Sequence, residues 1–272
     1  SRIMESRGEP QLIIEGTNNP HTFVFKPSHA EMIEEADIVF WIGEDLEAFM
    51  EKPLDSLAKN AKKIAFMESD SIEKLRFREE NIFDDHDDHD GHEDEHEGHD
   101  DHNHGEFHAH IWLDPENAKE LVKIIRDELI KIDPEGQRQY SVNTAGATLE
   151  LDNLINNVEK ELSKDISYVV FHDAYQYFET RFGVTSAGAL TLNPDVLPGA
   201  KQIADIQDLI RDKGIKCIFS EPQYNPKIIE TLGNDMNIST GVMDPLGAFI
   251  EEGPSMYGEL INGITNSIKE CH

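Results

Sequence analysis

The chain has 272 residues, 38% of them apolar, and a formal net charge of −31. This length and apolar content allow one large domain or two ordinary ones with conventional cores. Nucleic acid and anionic membrane surfaces are excluded as partners, because both would be repelled by the negative charge.

The start of the chain, SRIMESRGEP, has no charged-then-apolar leader. No apolar run approaches the roughly 20 residues that a membrane-spanning helix needs. We therefore expect a soluble chain, without direct membrane insertion, whose export signal has already been removed.

Short β-rich runs alternate with helical patterns along the chain. The candidate strands are QLIIEG, DIVFWIG, KKIAFME and AHIWLD in the first half, then SYVVFHD, VTSAGAL, IKCIFSEP and STGVMDP in the second. Amphipathic segments such as PENAKELVKIIRDELIKI and KQIADIQDLIRDKG lie between them. This alternation predicts an α/β fold of two lobes, each with a parallel β-sheet flanked by helices.

One long rigid helix is predicted between the lobes. Asp133 and Pro134 have the pattern of an N-cap and a first helical position. Apolar residues follow at steps of three and four: Val142, Ala145, Leu149, Ile155, Val158 and Leu162. A helix through Lys164 would be about 45 Å long. We therefore divide the chain into a first lobe (1–134), a linker helix (135–164) and a second lobe (165–272).

A histidine- and acid-rich run covers residues 84–108 of the first lobe. Residues 84–110 hold nine of the thirteen histidines and no Lys or Arg. Neutral imidazoles can donate a lone pair to a metal, and the neighbouring carboxylates attract divalent cations. Glycines and dense like charge disfavour a fixed fold, so we expect a mobile segment that binds several ions weakly. The predicted accessory ligands are His86, His89, His92, His96, His99, His102, His104 and His108.

Four other metal-capable residues follow predicted strands: His21, His110, His172 and Asp244. Ligands of open parallel sheets bind beyond the carboxyl ends of the strands. Each residue alone could be a turn cap, a part of the acidic run or a hydrogen-bonded core residue. Together, two from each half predict a site in the cleft between the lobes. Three imidazoles and one carboxylate suit a tetrahedral zinc ion.

Several motifs follow one another along the whole chain: GTNNPHTFVFKPS, the His-rich run with HIWLDPENA, VVFHDAYQYFETRFG, FSEPQYNP and DPLG. In this order they resemble the ZnuA-like family, the periplasmic zinc-binding receptors of bacterial ABC importers. The resemblance implies two α/β lobes around a rigid helix, with Zn²⁺ held between them by His21, His110 and His172. Asp244 matches a position that is a ligand in some members and is replaced by water or another carboxylate in others.

The resemblance also implies a membrane permease as partner, a periplasmic location and a receptor without enzymatic activity, which we expect to be a monomer. A rigid linker helix should permit only small lobe movements, so we expect zinc release by local loop movement near His172 or His110.

Cys217 and Cys271 are compatible with one disulfide or with two buried thiols, since sequence spacing alone does not show that they meet. The resemblance to zinc-type members implies the disulfide.

Two departures from the family pattern stand out. His29 occupies a position where the family usually has Asp, and we interpret it as a surface residue. The chain starts inside the first helix of the family pattern, so we expect the first lobe to lack one strand.

Three alternative functions remain. Related manganese receptors usually place Glu at the position of His172, and imidazole suits zinc better than manganese. A zinc hydrolase would need a general base. The chain has no H-E-x-x-H pair, and we interpret Glu221 and Glu179 as helix-capping or surface carboxylates. A periplasmic zinc buffer would act through the His-rich run alone, although ordering a flexible segment around each ion weakens binding.

Overall fold

The computed structural model describes residues 1–16, 18–83, 106–194 and 196–271. Within these ranges the strands are β1 Ile38–Trp41, β2 Lys62–Ala65, β3 Tyr168–His172, β4 Gly188–Thr191, β5 Cys217–Ser220 and β6 Ser239–Val242. The α-helices are α1 Pro27–Glu35, α2 Glu44–Glu47, α3 Glu51–Ser56, α4 Pro115–Ile132, α5 Gln137–Glu161, α6 Gln176–Phe182, α7 Ala200–Lys213, α8 Lys227–Met236 and α9 Met256–Lys269. None of these helices is long and apolar enough to cross a membrane.

The first lobe contains a small parallel sheet in which β1 pairs with β2, from Ile38 opposite Lys62 to Trp41 opposite Ala65. The predicted strands QLIIEG and AHIWLD are wrong: residues 11–16 form neither strand nor helix, and Ile111–Leu113 is a 3-10 helix. The second error has a local cause. Asp114 caps α4, accepting the backbone N–H of Glu116 at 2.8 Å, so the chain turns into a helix where a strand would have continued.

The second lobe contains a four-stranded parallel sheet in the order β4-β3-β5-β6. All four strands predicted for this half are confirmed. Every residue of β3 is buried, as expected for a central strand covered by helices on both faces. The fold is therefore the predicted mixed α/β architecture.

The outer edge of β4 is covered by residues 81–83 of the first lobe. The Phe83 N–H donates to the Ala187 carbonyl at 2.9 Å, and the Ala189 N–H donates to the Asn81 carbonyl at 2.8 Å. Gly188 permits this approach, because a Cβ atom there would lie 2.6 Å from the Asn81 oxygen. The chain is thus hydrogen-bonded to the second lobe immediately before the His-rich run begins.

The long helix predicted between the lobes is α5, preceded by a 3-10 turn at Pro134–Gly136. Asp133 begins this segment as predicted, and its side chain accepts the Gly136 N–H at 3.2 Å. The helix ends at Glu161, three residues earlier than expected.

The predicted apolar face of α5 is buried only toward the end of the helix, where Ile155, Val158 and Leu162 are at most 9% exposed. Val142 and Leu149 are 59% and 62% exposed. In the first half of α5, small and polar residues such as Asn143 and Ala147 are buried instead, and the Asn143 amide donates to the carbonyls of Ile3 and Glu5, both at 2.9 Å. Periodicity therefore identified the helix and its later buried positions, but not those of its first half.

One apolar core is shared by both lobes and α5. It joins first-lobe residues such as Phe83 and Leu113 to the α5 residues Leu154 and Val158 and to Phe178 of α6.

Candidate metal-binding site between the lobes

Three of the four predicted ligands converge. Candidate donor atoms of His21, His110 and His172 lie within 4.8 Å of one another. The two Nε2 atoms of His110 and His172 are 3.3 Å apart. Two nitrogens bonded to one tetrahedral zinc ion at about 2.0–2.1 Å would be about 3.3 Å apart. This pair is therefore already spaced for one ion, and a small inward movement of His21 would complete the set.

His172 is the last residue of β3, and its side chain is buried. The neighbouring strand β5 pairs Tyr168 with Cys217 and Val169 with Ile218. Continuing this register places Glu221 opposite His172. Glu221 Oε1 lies 2.7 Å from His172 Nδ1, and it also accepts the backbone N–H of His172 at 3.3 Å.

His110 precedes the 3-10 helix Ile111–Leu113 and is 4% exposed. Its ring contacts those of His108 and Trp112, with centroid distances of 4.8 and 5.1 Å. Burial, followed by the neighbouring histidines, holds the pKa of His110 well below its ordinary value of 6.5. The imidazole is therefore neutral at pH 7 and can donate a lone pair to a metal.

His21 lies in the loop formed by residues 18–26, which contains neither helix nor strand. Its backbone N–H donates to Asn19 Oδ1 at 2.9 Å. Asn19 Nδ2 in turn donates to the Tyr224 hydroxyl at 2.8 Å, and Tyr224 follows β5. A first-lobe histidine is thus positioned by a contact with the second lobe.

Asp244 does not join the three histidines. It follows β6 by two residues, and its carboxylate accepts hydrogen bonds from Gln223 Nε2 at 3.0 Å, Leu246 N at 3.0 Å and Ala248 N at 2.6 Å. These bonds direct the carboxylate toward its own turn, and its role as a fourth ligand stays a prediction.

His108, expected as an accessory ligand in a mobile segment, lies instead in a buried and hydrogen-bonded part of the chain, and its role as a ligand stays a prediction. It is 1% exposed, its backbone N–H donates to the Leu75 carbonyl at 2.8 Å, and its Nε2 lies 2.6 Å from the Asp173 carbonyl. Burial lowers the pKa of His108. The chain is fixed here by backbone pairing between Arg76 and Phe107, a signal that composition does not carry.

The other predicted accessory ligands lie outside the described residues: His86, His89, His92, His96, His99, His102 and His104. His29, expected at the surface, is half-buried at the start of α1, where its Nδ1 accepts the Lys26 N–H at 3.0 Å. It lies outside the group of three histidines.

The interpretation of Glu221 and Glu179 as capping or surface carboxylates was wrong. Both are buried. Glu221 is bonded to His172, and Glu179 forms an ion pair with Arg78 at 2.6 Å. The sequence signal available for Glu221 was its position directly after a predicted strand, whereas the pairing of that strand with the strand of His172 is seen only in the structure.

The predicted disulfide is confirmed. Cys217 of β5 and Cys271, after α9, are bonded, with Cα atoms 5.6 Å apart. The bond links the end of the chain to the central part of the second sheet.

The chain matches the family described as ZnuA, zinc-uptake complex component A, periplasmic, over residues 1–271. The high-affinity zinc uptake system protein ZnuA of Brucella abortus (strain 2308) is 42% identical over 291 residues, covering 100% of this chain and 87% of that protein. The protein of the same name from Yersinia pestis is 31% identical over 266 residues, covering 96% and 83%.

Solved structures show the same fold at lower identity. A crystal structure of ZnuA has a TM-score of 0.79 at 19% identity, covering 99% of this chain and 93% of that chain. The periplasmic zinc-binding protein TroA from Treponema pallidum has a TM-score of 0.80 at 18% identity, with the same coverage. These structures agree with the fold described above. On the family match over residues 1–271 and the 42% identity to the Brucella protein, the chain belongs to the ZnuA family of periplasmic zinc-uptake components.

Proposed function

We propose that the protein is a high-affinity receptor that binds one Zn²⁺ ion as cargo between its lobes and delivers it to the permease of an ABC importer in the periplasm. The observation that carries the proposal is the convergence of His21, His110 and His172 from both lobes, with two nitrogens 3.3 Å apart. The names of the Brucella and Yersinia relatives support zinc uptake as the function.

The donor chemistry favours zinc over manganese. All three converging side chains are imidazoles. Manganese prefers carboxylate and other oxygen donors, whereas imidazole suits zinc. A carboxylate at the His172 position would have reversed this preference.

Water is the simpler fourth ligand. Asp244 accepts three hydrogen bonds, and turning its carboxylate toward the histidines would break at least one of them. An exchangeable fourth ligand suits a cargo site, because an incoming ligand on the permease could replace water without breaking a bond to protein.

Catalysis is the weaker alternative. The two candidate general bases are held by other groups, since Glu221 is bonded to His172 and Glu179 to Arg78. The family is a family of receptors, which also favours binding without turnover. We retain the boundaries 1–134, 135–164 and 165–272 for the two lobes and the linker helix.

The His-rich run is proposed to capture zinc next to the cleft. Its sequence offers many weak donors, and His108 and His110 lie shortly after it in the chain. A buffer function for the run alone is disfavoured, because the three converging histidines include His21 and His172, which belong to other segments.

Competition titration of the metal-depleted protein with zinc and manganese against a chelator tests the proposal. We expect one tight zinc site per chain, further weak sites and clearly weaker manganese binding. Equal affinity for manganese, or chelator-sensitive hydrolytic turnover, would contradict the zinc-receptor function.

A further inference from the structure

Glu221 is a buried carboxyl group that lies beside the three histidines. Metal binding by the histidines alone does not explain why a carboxyl group is buried there. Its side chain is 1% exposed, and it lines the small pocket to which His21, His110 and His172 also contribute. Its Oε2 has no hydrogen-bond partner among the described residues. Burying an unpartnered carboxyl oxygen costs free energy, so a functional reason is expected.

The contacts of the other oxygen, Oε1, indicate which nitrogen of His172 carries the proton. Oε1 accepts the backbone N–H of His172, so it acts as an acceptor at this position. It lies 2.7 Å from His172 Nδ1. An acceptor at this distance requires the imidazole proton to be on Nδ1. The lone pair of a neutral ring is then on Nε2, the nitrogen that faces His110.

We infer that Glu221 is a positioning residue that fixes the tautomer and ring orientation of His172, so that Nε2 is presented to the metal. The inference rests on the proposed zinc-binding function. Glu221 lies on the Nδ1 side of the ring, opposite the nitrogen that approaches His110, and therefore acts through His172 without binding the ion.

The sheet register makes this arrangement rigid. Glu221 directly follows β5 and His172 ends β3, and these central strands are paired side by side. A carboxylate bonded to the outer nitrogen of a metal-binding histidine also makes the ring a stronger donor. Removal of such a partner typically lowers metal affinity about 10–100-fold.

Two measurements on Glu221→Ala and Glu221→Gln test the inference. The first is the tautomer of His172 in the metal-depleted protein, read from long-range ¹⁵N–¹H correlations of the imidazole. The second is the zinc dissociation constant by chelator competition. Glu221→Gln keeps the volume and one acceptor, so it serves as the conservative variant where Glu221→Ala fails to fold.

In the wild type we expect His172 with the proton on Nδ1. Glu221→Ala should populate the Nε2–H form and weaken zinc binding about 100-fold, and Glu221→Gln should weaken binding about 10-fold. Glu230→Gln, which removes an exposed carboxylate of α8, is the matched control and should leave both readouts unchanged.

An unchanged tautomer in Glu221→Ala overturns the inference, as does wild-type zinc affinity in either Glu221 variant. The tautomer measurement needs no metal, so it remains informative where the wild-type protein itself does not bind zinc tightly. Failure of the proposed function and failure of this inference are thereby distinguished.

Discussion

The imidazole of His172 is expected to be a direct ligand, and His29 is a matched histidine outside the site. Loss of a group that only hydrogen-bonds a metal ligand lowers metal affinity by up to about 100-fold. His172→Ala removes the ligand itself, so zinc affinity should fall by at least this factor. His29→Ala should leave zinc affinity unchanged while lowering the free energy of unfolding by about 1 kcal/mol through loss of the bond to Lys26 at the start of α1. Equal losses of affinity in chelator competition would contradict the assignment.

Glu47 is a buried carboxyl group whose titration can be tested without metal. Its Oε2 accepts the backbone N–H of Ile42 at 2.7 Å, and burial raises its pKa from 4.5 to about 7. Because folding raises the pKa of Glu47, the protonated side chain stabilises the fold relative to the ionised one. This contribution is fully present below pH 4.5 and is lost as the pH rises to 7. Relative to Glu47→Gln, the wild type should lose about 2–3 kcal/mol of unfolding free energy between pH 4.5 and 7.5.

Urea unfolding at several pH values measures this difference. Glu44→Gln, on the same helix but exposed, is the control and should follow the wild type. Parallel pH profiles for the wild type and Glu47→Gln would show that burial of Glu47 does not shift its pKa.

Sequence patterns identified the candidate ligands of the site better than the hydrogen bonds that surround them. His172 could be predicted because it ends an apolar strand run, and its environment follows from that position. Glu221 was misinterpreted because its contact depends on which strand lies beside β3, and the order of strands is not written in local sequence. Asp244 has the right position after a strand, but the backbone N–H groups of its own turn bind its carboxylate.

The four strands of the second lobe could be predicted because each lies in a short β-rich run between clear helical segments. In the first lobe, AHIWLD is also rich in apolar residues, but its last residue, Asp114, caps a helix that begins at Pro115. In α5, periodicity correctly predicted the burial of Ile155 and Val158, whereas tertiary contacts in the first half of the helix bury small and polar residues instead of Val142 and Leu149. Local propensity thus identified the type of most elements, and tertiary packing decided the remainder.

The contact between α4 and α6 connects the segments that carry His110 and His172. Arg181 of α6 donates to both oxygens of Asp114, the cap of α4, with Nε–Oδ1 and Nη2–Oδ2 distances of 2.7 Å. Asp114 is 3% exposed, so removal of its partner leaves a buried carboxylate without its cation. Since Arg181 is partly exposed, we expect Arg181→Met to lower the unfolding free energy by about 2–3 kcal/mol, below the full penalty for a completely buried pair.

Arg211→Met is the matched control, because Arg211 pairs with Asp208 on the exposed surface of α7. Its effect should stay below about 1 kcal/mol. Urea denaturation of both variants measures the difference, and equal small losses would show that the contact between α4 and α6 contributes little to stability.

For the molecule as a whole, the His-rich run and the three converging histidines should contribute separately to zinc binding. Deletion of residues 84–105 leaves the pairing of Arg76 with Phe107 and the buried His108 in place. Calorimetric titration of this variant should show loss of the weak sites and retention of one tight zinc site per chain. If the deletion variant bound no zinc tightly, the primary site would lie in the run itself.

The connection between the lobes limits how zinc can leave. The core shared by the lobes includes Leu154 and Val158 of α5 together with Phe83 and Phe178, so a wide hinge opening would expose apolar surface from several elements at once. His172 ends a fully buried strand and His110 is enclosed by aromatic rings, whereas His21 lies in a loop without helix or strand. The expectation of loop movement near His172 or His110 is therefore replaced by one in which residues 18–26 move.

Hydrogen exchange and solution scattering with and without zinc test this mechanism together. Zinc should slow amide exchange in residues 18–26 at least about 10-fold, because ordering by a ligand suppresses local opening. Amides of α5 and β3 should change little, and the radius of gyration should stay nearly constant. A large change in the radius of gyration, together with faster exchange throughout the shared core, would contradict this mechanism and mean that the lobes rotate apart. The packing of α5 against both lobes would then have to break in every transport cycle.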